Sequence, residues 1–434
     1  MNGPNHIPFN AGGLREAHVH LAMHGRALSM LHLDAVGSVD ECLSVVGEAA
    51  SRPHLPGSWM LGVQLRPEGW VDPRWPTMRE LDEVCPNRPC CLMSFDHHSV
   101  TVNTHAFHAS GFTPTSADPE AGMIVRNGEG RATGVLLESA AKTAWYAAPE
   151  PRPDERKQHV RLAIHDLAAL GFVEVHDLLS PDWLGPTLAE MDAEEPLSMR
   201  IGLFAPLDRL AIQHDSSARW SRPGRIELLG GKVFADGTLN SRTAWMLHPY
   251  REPLAGYPLG KPLVTLESVA AAIVACNRRG LGLAAHAIGD GAVRCVLDAA
   301  ERVRPSPASG GRLRIEHAEL IDAADVPRFA QLGVVASVQP CHLLTDIEVL
   351  NRELPDRLDR VFPLRELVDS GCSPAADLLL FGSDTPIVRP NPEDSVQAAV
   401  HRRRIGQPIH EAIGIGQALT PAECLAAFTP ATTL

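Results

Sequence analysis

The stretch EAHVHL, residues 16–21, sets His18 and His20 two positions apart in an apolar, strand-like run. In extended backbone, residues i and i+2 project from the same face, so both imidazoles can address one ion. On its own the pair is weak evidence, because the chain holds 20 histidines and His97 with His98, or His105 with His108, shows how readily close pairs arise. Its place in a series gives it weight. Further short apolar or alternating runs lie at residues 171–177, 198–205, 225–236, 282–286, 312–317, 334–339 and 378–384. With 14–20 these make eight, each closing on polar residues and followed by a helix-like stretch. That alternation is the signature of a parallel sheet or barrel, and the count of eight predicts an α/β fold, a (β/α)8 TIM-like barrel.

The chemistry-bearing residues fall at one end of these runs. Lys232 lies in GGKVFADG (230–237), His286 in GLAAHAIGD (282–290), His317 in RIEHAEL (314–320) and Asp384 in LLLFGSDTP (378–386). Each stands at or near the C-terminal end of its strand, where a barrel gathers groups from distant parts of its sequence. Neutral imidazoles suit zinc, and a carboxylate adds charge and can take a proton from bound water. A lysine ammonium would repel a dication. The amine fits such a site only after reaction with carbon dioxide, as a carbamate whose oxygens can bridge two metals.

An insertion at about residues 51–150 interrupts the pattern after the first strand, with its own strand-like runs at 60–65 and 90–96. It holds Trp59, Trp70, Trp75 and Trp145, four of the seven tryptophans. Its position after a barrel strand predicts a cap over the active-site face. The alternative is that the tryptophans pack a satellite core. The rest of residues 1–434 is expected to form a single barrel.

Charge narrows the partners. With 39 Lys and Arg against 52 Asp and Glu, the net charge of −13 would repel nucleic acid and anionic membranes, so a small-molecule substrate is expected. Arg402, Arg403 and Arg404 form the one basic run, which reads as a solvated helix face. No leader-like or membrane-spanning pattern is evident, which predicts a cytoplasmic protein. The nine cysteines include no C-x-x-C pair and read as buried thiols rather than a zinc ribbon.

The chain resembles the amidohydrolase superfamily, specifically the branch that includes N-substituted formamide deformylases. The resemblance runs over nearly the whole length, through EAHVHL, PGSWMLG (56–62), WPTMRELDEVCPNRPCCLMSFDHHSVTVN (75–103), GVLLESA (134–140), GFVEVHD (171–177), KVFADGTLNSRTAWM (232–246), AAHAIGDGAV (284–293), RIEHAELID (314–322) and GSDTP (382–386). It implies that His18 and His20 bind one divalent metal and that His286 and His317 bind a second. A carboxylated Lys232 would bridge them, and Asp384 would ligate the first metal and move protons. Two zinc ions are favoured by the imidazole-rich set, with manganese, iron or cobalt compatible.

Other residues follow from the same comparison. In SFDHHSV (94–100) the family more often has Asp-Gly-His; His97 replaces that glycine, and His98 reads either as a substrate contact or as a solvated loop residue. His176 could face the site. Asp236 and Arg242 read either as groups orienting ligands or substrate, or as ordinary ion-pairing residues. The family's small β-sandwich, built from both chain ends, is expected to be absent, leaving barrel surface to be recoated, covered by residues 1–13 or buried in a homo-oligomer.

The implied activity is hydrolysis of a C–N bond in an amide, formamide or cyclic amide by metal-activated water. A deaminase or an ester hydrolase on the same scaffold, or a non-catalytic binding protein, are the rivals.

Overall fold

The computed structural model describes residues 13–54, 57–67, 70, 72–94, 99–120, 122–253, 256–303 and 311–430. The eight expected strands are present: β1 (Leu14–Val19), β2 (Phe172–Asp177), β3 (Arg200–Pro206), β4 (Ile226–Phe234), β5 (Gly282–Ala287), β6 (Leu313–His317), β7 (Val335–Val338) and β8 (Leu379–Phe381). All neighbouring pairs are parallel and follow chain order, β1 through β8. Just beyond β8 a parallel bridge from Thr385 to Val19 brings the last strand back to the first. His20 N donates to Thr385 O at 2.9 Å and Asp384 N to His18 O at 2.8 Å, so the sheet becomes a nearly closed TIM-like barrel.

Closure depends on a residue without a side chain. A Cβ at Gly382 would stand 2.6 Å from His18 N and 2.7 Å from Glu16 Oε1, closer than real Cβ contacts occur. Helices connect successive strands, among them Leu184–Glu194, Leu210–Trp220, Leu266–Asn277 and Asp290–Val303. Local signals delimit them. Thr265 and Ser268 form a capping box at the start of Leu266–Asn277, and Gly333 ends Val326–Leu332 at φ +67°, a conformation that favours glycine. The strands' outward faces, with Val175, Ile201, Leu203, Leu283, Ile315 and Phe381, lie buried with the helices' apolar stripes in the main core. Each such side chain contributes roughly 1.5–3 kcal/mol.

The chain divides into two compact units, Met1–Gly25 with Lys157–Leu434, and Arg26–Arg156. The second unit begins earlier than residue 51, because the helix Val39–Ser51 buries Val39, Cys42 and Val46 in that unit's own core. Its six-stranded mixed sheet runs in the order Leu31–His32, Met60–Leu65, Cys90–Ser94, Ser99–Val102, Ala132–Glu138, Gly122–Arg126. Along Cys90–Ser94, period-two alternation sends Cys90 and Leu92 into one core and Cys91 and Met93 into another. The four tryptophans belong to these cores: Trp59 and Trp145 to the second, Trp70 and Trp75 to the first.

The nine cysteines are buried free thiols. The basic run departs from its expected solvated face. Arg402 is fully buried, just past the helix Pro392–His401, with Nε donating to Ile413 O at 2.9 Å and Nη2 to Val361 O at 2.5 Å. Arg404 pairs with Glu348. Among the described residues no helix is long and apolar enough to cross a membrane.

Candidate metal centre

His18 and His20 leave the end of β1 on one face, their ring centroids 5.6 Å apart. Asp384 meets them from beyond β8, with Oδ1 3.2 Å from His18 Nε2 and 2.9 Å from His20 Nε2. The ligand-bearing atoms of these three residues all lie within 4.8 Å of one another. Asp384 Oδ1 is buried yet has no partner in hydrogen-bonding geometry. Parallel register brings the next histidines to a similar height: Phe234 is level with His286, and Ala287 with His317. The His317 ring centroid lies 4.4 Å from that of His286 and 5.0 Å from that of His18. The structure thus gathers His18, His20, His286, His317 and Asp384 at one end of the barrel.

The backbone is unusual where two of these side chains turn inward. Asp384 has φ +63° and His317 φ +71°, in the left-handed region that side chains rarely adopt. Such conformations cost of order 1–3 kcal/mol and cluster at functional sites.

The protonation states suit a divalent cation. Burial, then the neighbouring Lys232 charge, pushes His286 down to about 3; burial and the His286 neighbour hold His317 well below its ordinary value. Both are therefore neutral imidazoles near pH 7. Burial would raise the Asp384 carboxyl, but His18 and His20 outweigh it and hold it well below the usual range, as a carboxylate. For His18 and His286 one ring nitrogen is partnered by the protein and the other is left for a cation. His18 Nδ1 meets Glu316 Oε2 at 2.8 Å, and His286 Nε2 donates to Gly237 O at 3.1 Å. His20 Nδ1 and His317 Nδ1 are buried without hydrogen-bond partners. Imidazoles, one carboxylate and these unpartnered atoms fit a divalent transition metal.

Lys232, 2% exposed on β4, lies beside this group with Nζ 5.3 Å from the Phe234 ring centroid. Burial lowers its amine to about 8, against the pull of Glu316 and Asp384. A substantial neutral fraction is therefore present at mildly alkaline pH, and the neutral amine is the form that reacts with carbon dioxide.

Asp236 borders this group, its Oδ1 3.5 Å from His286 Nε2. Asp236, fully buried, accepts N–H groups from Trp245, Ile288 and Gly289 at 2.8, 3.0 and 2.9 Å and shapes the turn after His286. Burial pushes its carboxyl up to about 7 despite those bonds. His176 sits inside the barrel between Arg314 Nη1, at 2.8 Å, and Glu174 Oε1, at 3.2 Å, rather than among the converging histidines. Arg242 donates to Glu252 O at 2.8 Å. His98 lies outside the described residues.

Sequence reasoning did not single out Glu16, Arg314, Glu316 or Glu319. Glu16 Oε1 accepts the N–H groups of His18 and Ser383 at 3.1 and 2.9 Å, linking the two ligand-bearing strand ends. The R-x-E spacing of Arg314 and Glu316 in an otherwise apolar strand was the available signal, since two charges on the inner face need each other.

Glu319 and His342 form a second grouping with His317, again with donor atoms within 4.8 Å. His342 Nε2 donates to Ser383 O at 3.2 Å and its Nδ1 lies 3.5 Å from Glu319 Oε1. Burial disfavours charging this ring, but Glu319, with Asp384 and Asp346, carries it up to about 9. His342 and Glu319, 3.5 Å apart, form an ion pair when the ring is protonated.

Comparison with known proteins agrees with this geometry. The profile described as the amidohydrolase family, Amidohydro_3, matches residues 11–433. The putative amidohydrolase YtcJ of Bacillus subtilis (strain 168) is 29% identical over 419 residues, covering 93% of this chain and 74% of that protein. The N-substituted formamide deformylase of Arthrobacter pascens is 26% identical over 433 residues, covering 96% and 77%. In fold, the chain is similar to an uncharacterized metal-dependent hydrolase from Pyrococcus horikoshii OT3, with a TM-score of 0.73, 23% identity and coverage of 96% and 78%. The chain belongs to the amidohydrolase family. It is a hydrolase with a candidate metal-binding site at the C-terminal end of its barrel.

Proposed function

We propose that the protein cleaves a C–N bond of a small molecule, in an amide, formamide or cyclic amide, in a metal-dependent hydrolysis. The observation that carries this reading is Asp384 Oδ1 facing the Nε2 atoms of both His18 and His20 at 3.2 and 2.9 Å, with neutral His286 and His317 beside them. Similarity to a formamide deformylase supports the choice of bond.

His18, His20 and Asp384 would hold one cation, and His286 and His317 a second, with carboxylated Lys232 between them. Zinc is the metal we favour. When bound, the cations polarise the substrate carbonyl and lower the pKa of bound water. Asp384, ionised across neutral pH, accepts a proton from the attacking water and returns it to the leaving nitrogen. Glu16 and Gly382 keep Asp384 in register with the histidines.

The test is a panel of N-formyl and N-acyl amines, cyclic amides, aminated heterocycles and esters, with products identified by mass spectrometry. Carboxylate plus amine, or a ring-opened amide, supports the reading. Ammonia alone would identify a deaminase, and an alcohol an esterase.

A further inference from the structure

A histidine ligates through a ring nitrogen that carries no proton, so the proton must be kept on the other nitrogen. For His18 that task falls to Glu316, whose Oε2 lies 2.8 Å from His18 Nδ1 at a fully buried position. The Gln339 amide nitrogen also approaches Nδ1, at 3.2 Å. The shorter contact to a carboxylate prevails, because charged hydrogen bonds are roughly twice as strong as neutral ones.

Glu316 could itself turn toward a cation, and Arg314 prevents this. Arg314 Nε donates to Glu316 Oε1 at 2.8 Å and Nη2 to Oε2 at 3.3 Å, a two-pronged clamp. The same guanidinium donates to Ala17 O at 2.7 Å, Ser337 Oγ at 2.9 Å and His176 Nδ1 at 2.8 Å. It therefore anchors Glu316 to the backbone beside His18 and to the neighbouring strands.

We propose that Glu316, clamped by Arg314, is a positioning residue that fixes His18 with its proton on Nδ1 and so presents Nε2 to a divalent cation. The role rests on the metal-dependent function proposed above. It assigns the interior pair a purpose beyond mutual neutralisation: control of the affinity and coordination of the first metal position.

Glu316→Gln isolates the effect. If the glutamine oxygen faces Arg314, its NH2 meets His18 Nδ1, which must then accept, and the proton moves to Nε2, against the cation. Chelator-stripped variant should bind Zn2+ about 10–100-fold more weakly than wild type in competition with a chelating dye. The visible absorption of its Co2+ form should change, and Glu316→Asp, which keeps the charge, should recover part of the affinity. In stripped wild type, 15N–1H correlation of the imidazoles should show His18 protonated on Nδ1; this readout stands even if Glu316→Gln does not fold. Equal Zn2+ affinity and an unchanged Co2+ spectrum in Glu316→Gln would overturn the role, as would an Nε2–H tautomer in wild type. Wild type that binds no metal would overturn the hydrolase reading and this role with it.

Discussion

Asp384 donates its backbone N–H to the carbonyl oxygen of His18 across 2.8 Å, so the contact that closes the barrel also sets the carboxylate that follows the last strand beside the imidazole of the first. Fold closure and assembly of the site are here one set of bonds, and damage to either should appear in both.

Gly382 tests that coupling. Its replacement by alanine forces a methyl against His18 N and the Glu16 carboxylate. Overpacking of this kind costs about 1–3 kcal/mol. Gly382→Ala should lower the unfolding midpoint and weaken metal binding together, as read by thermal denaturation and metal titration.

Asp384→Asn keeps the shape of the side chain while removing its charge. The variant should remain folded by circular dichroism, bind metal more weakly and lose at least about 10²-fold in kcat. Activity within a few-fold of wild type would remove Asp384 from the proton-transfer role.

Asp346 provides a pH-dependent test away from the ligands. Burial, followed by the nearby Glu319 charge, raises its carboxyl from 3.8 to about 6. A carboxyl raised on folding contributes fully below its unfolded value, and the contribution is lost as pH rises through the folded value. Asp346→Asn can still accept the hydrogen bond from Asn240, which spans 2.8 Å in the native protein. The variant should match wild type near pH 4 and become more stable, by on the order of 1–3 kcal/mol, by pH 7.5. Urea unfolding at the two pH values gives the difference; a gap that does not change with pH would contradict it.

Arg402→Ala should be among the most destabilising single changes outside the site. It leaves the Ile413 and Val361 carbonyls without their donor and opens a cavity where a fully buried side chain stood. The loss should be about 3–5 kcal/mol by denaturant unfolding.

The eight strands and the convergence of His18, His20, His286, His317 and Asp384 were legible in the sequence, because apolar alternation marks barrel strands and polar residues at their C-terminal ends meet at one face. The interior was less so. The R-x-E spacing puts Arg314 and Glu316 on one face of β6 but does not show their contact with His18, and Arg402 reads as solvated because a run of arginines gives no sign that its first member turns inward. Val39–Ser51 has the amphipathic pattern of any surface helix, so the boundary of the smaller unit could not be read from periodicity. His342, at the start of the helix His342–Glu353, and Glu319, in the loop after β6, meet from different strand ends, a proximity without a local signature.

Elemental analysis of wild-type protein purified without chelator, beside Lys232→Ala, reads whether the barrel end holds a metal pair that depends on Lys232. Wild type should carry about two equivalents of transition metal, falling sharply in the variant, with hydrolysis lost on chelation and restored by added metal. Wild-type protein that holds no metal, even after reconstitution, would contradict the metal-dependent reading.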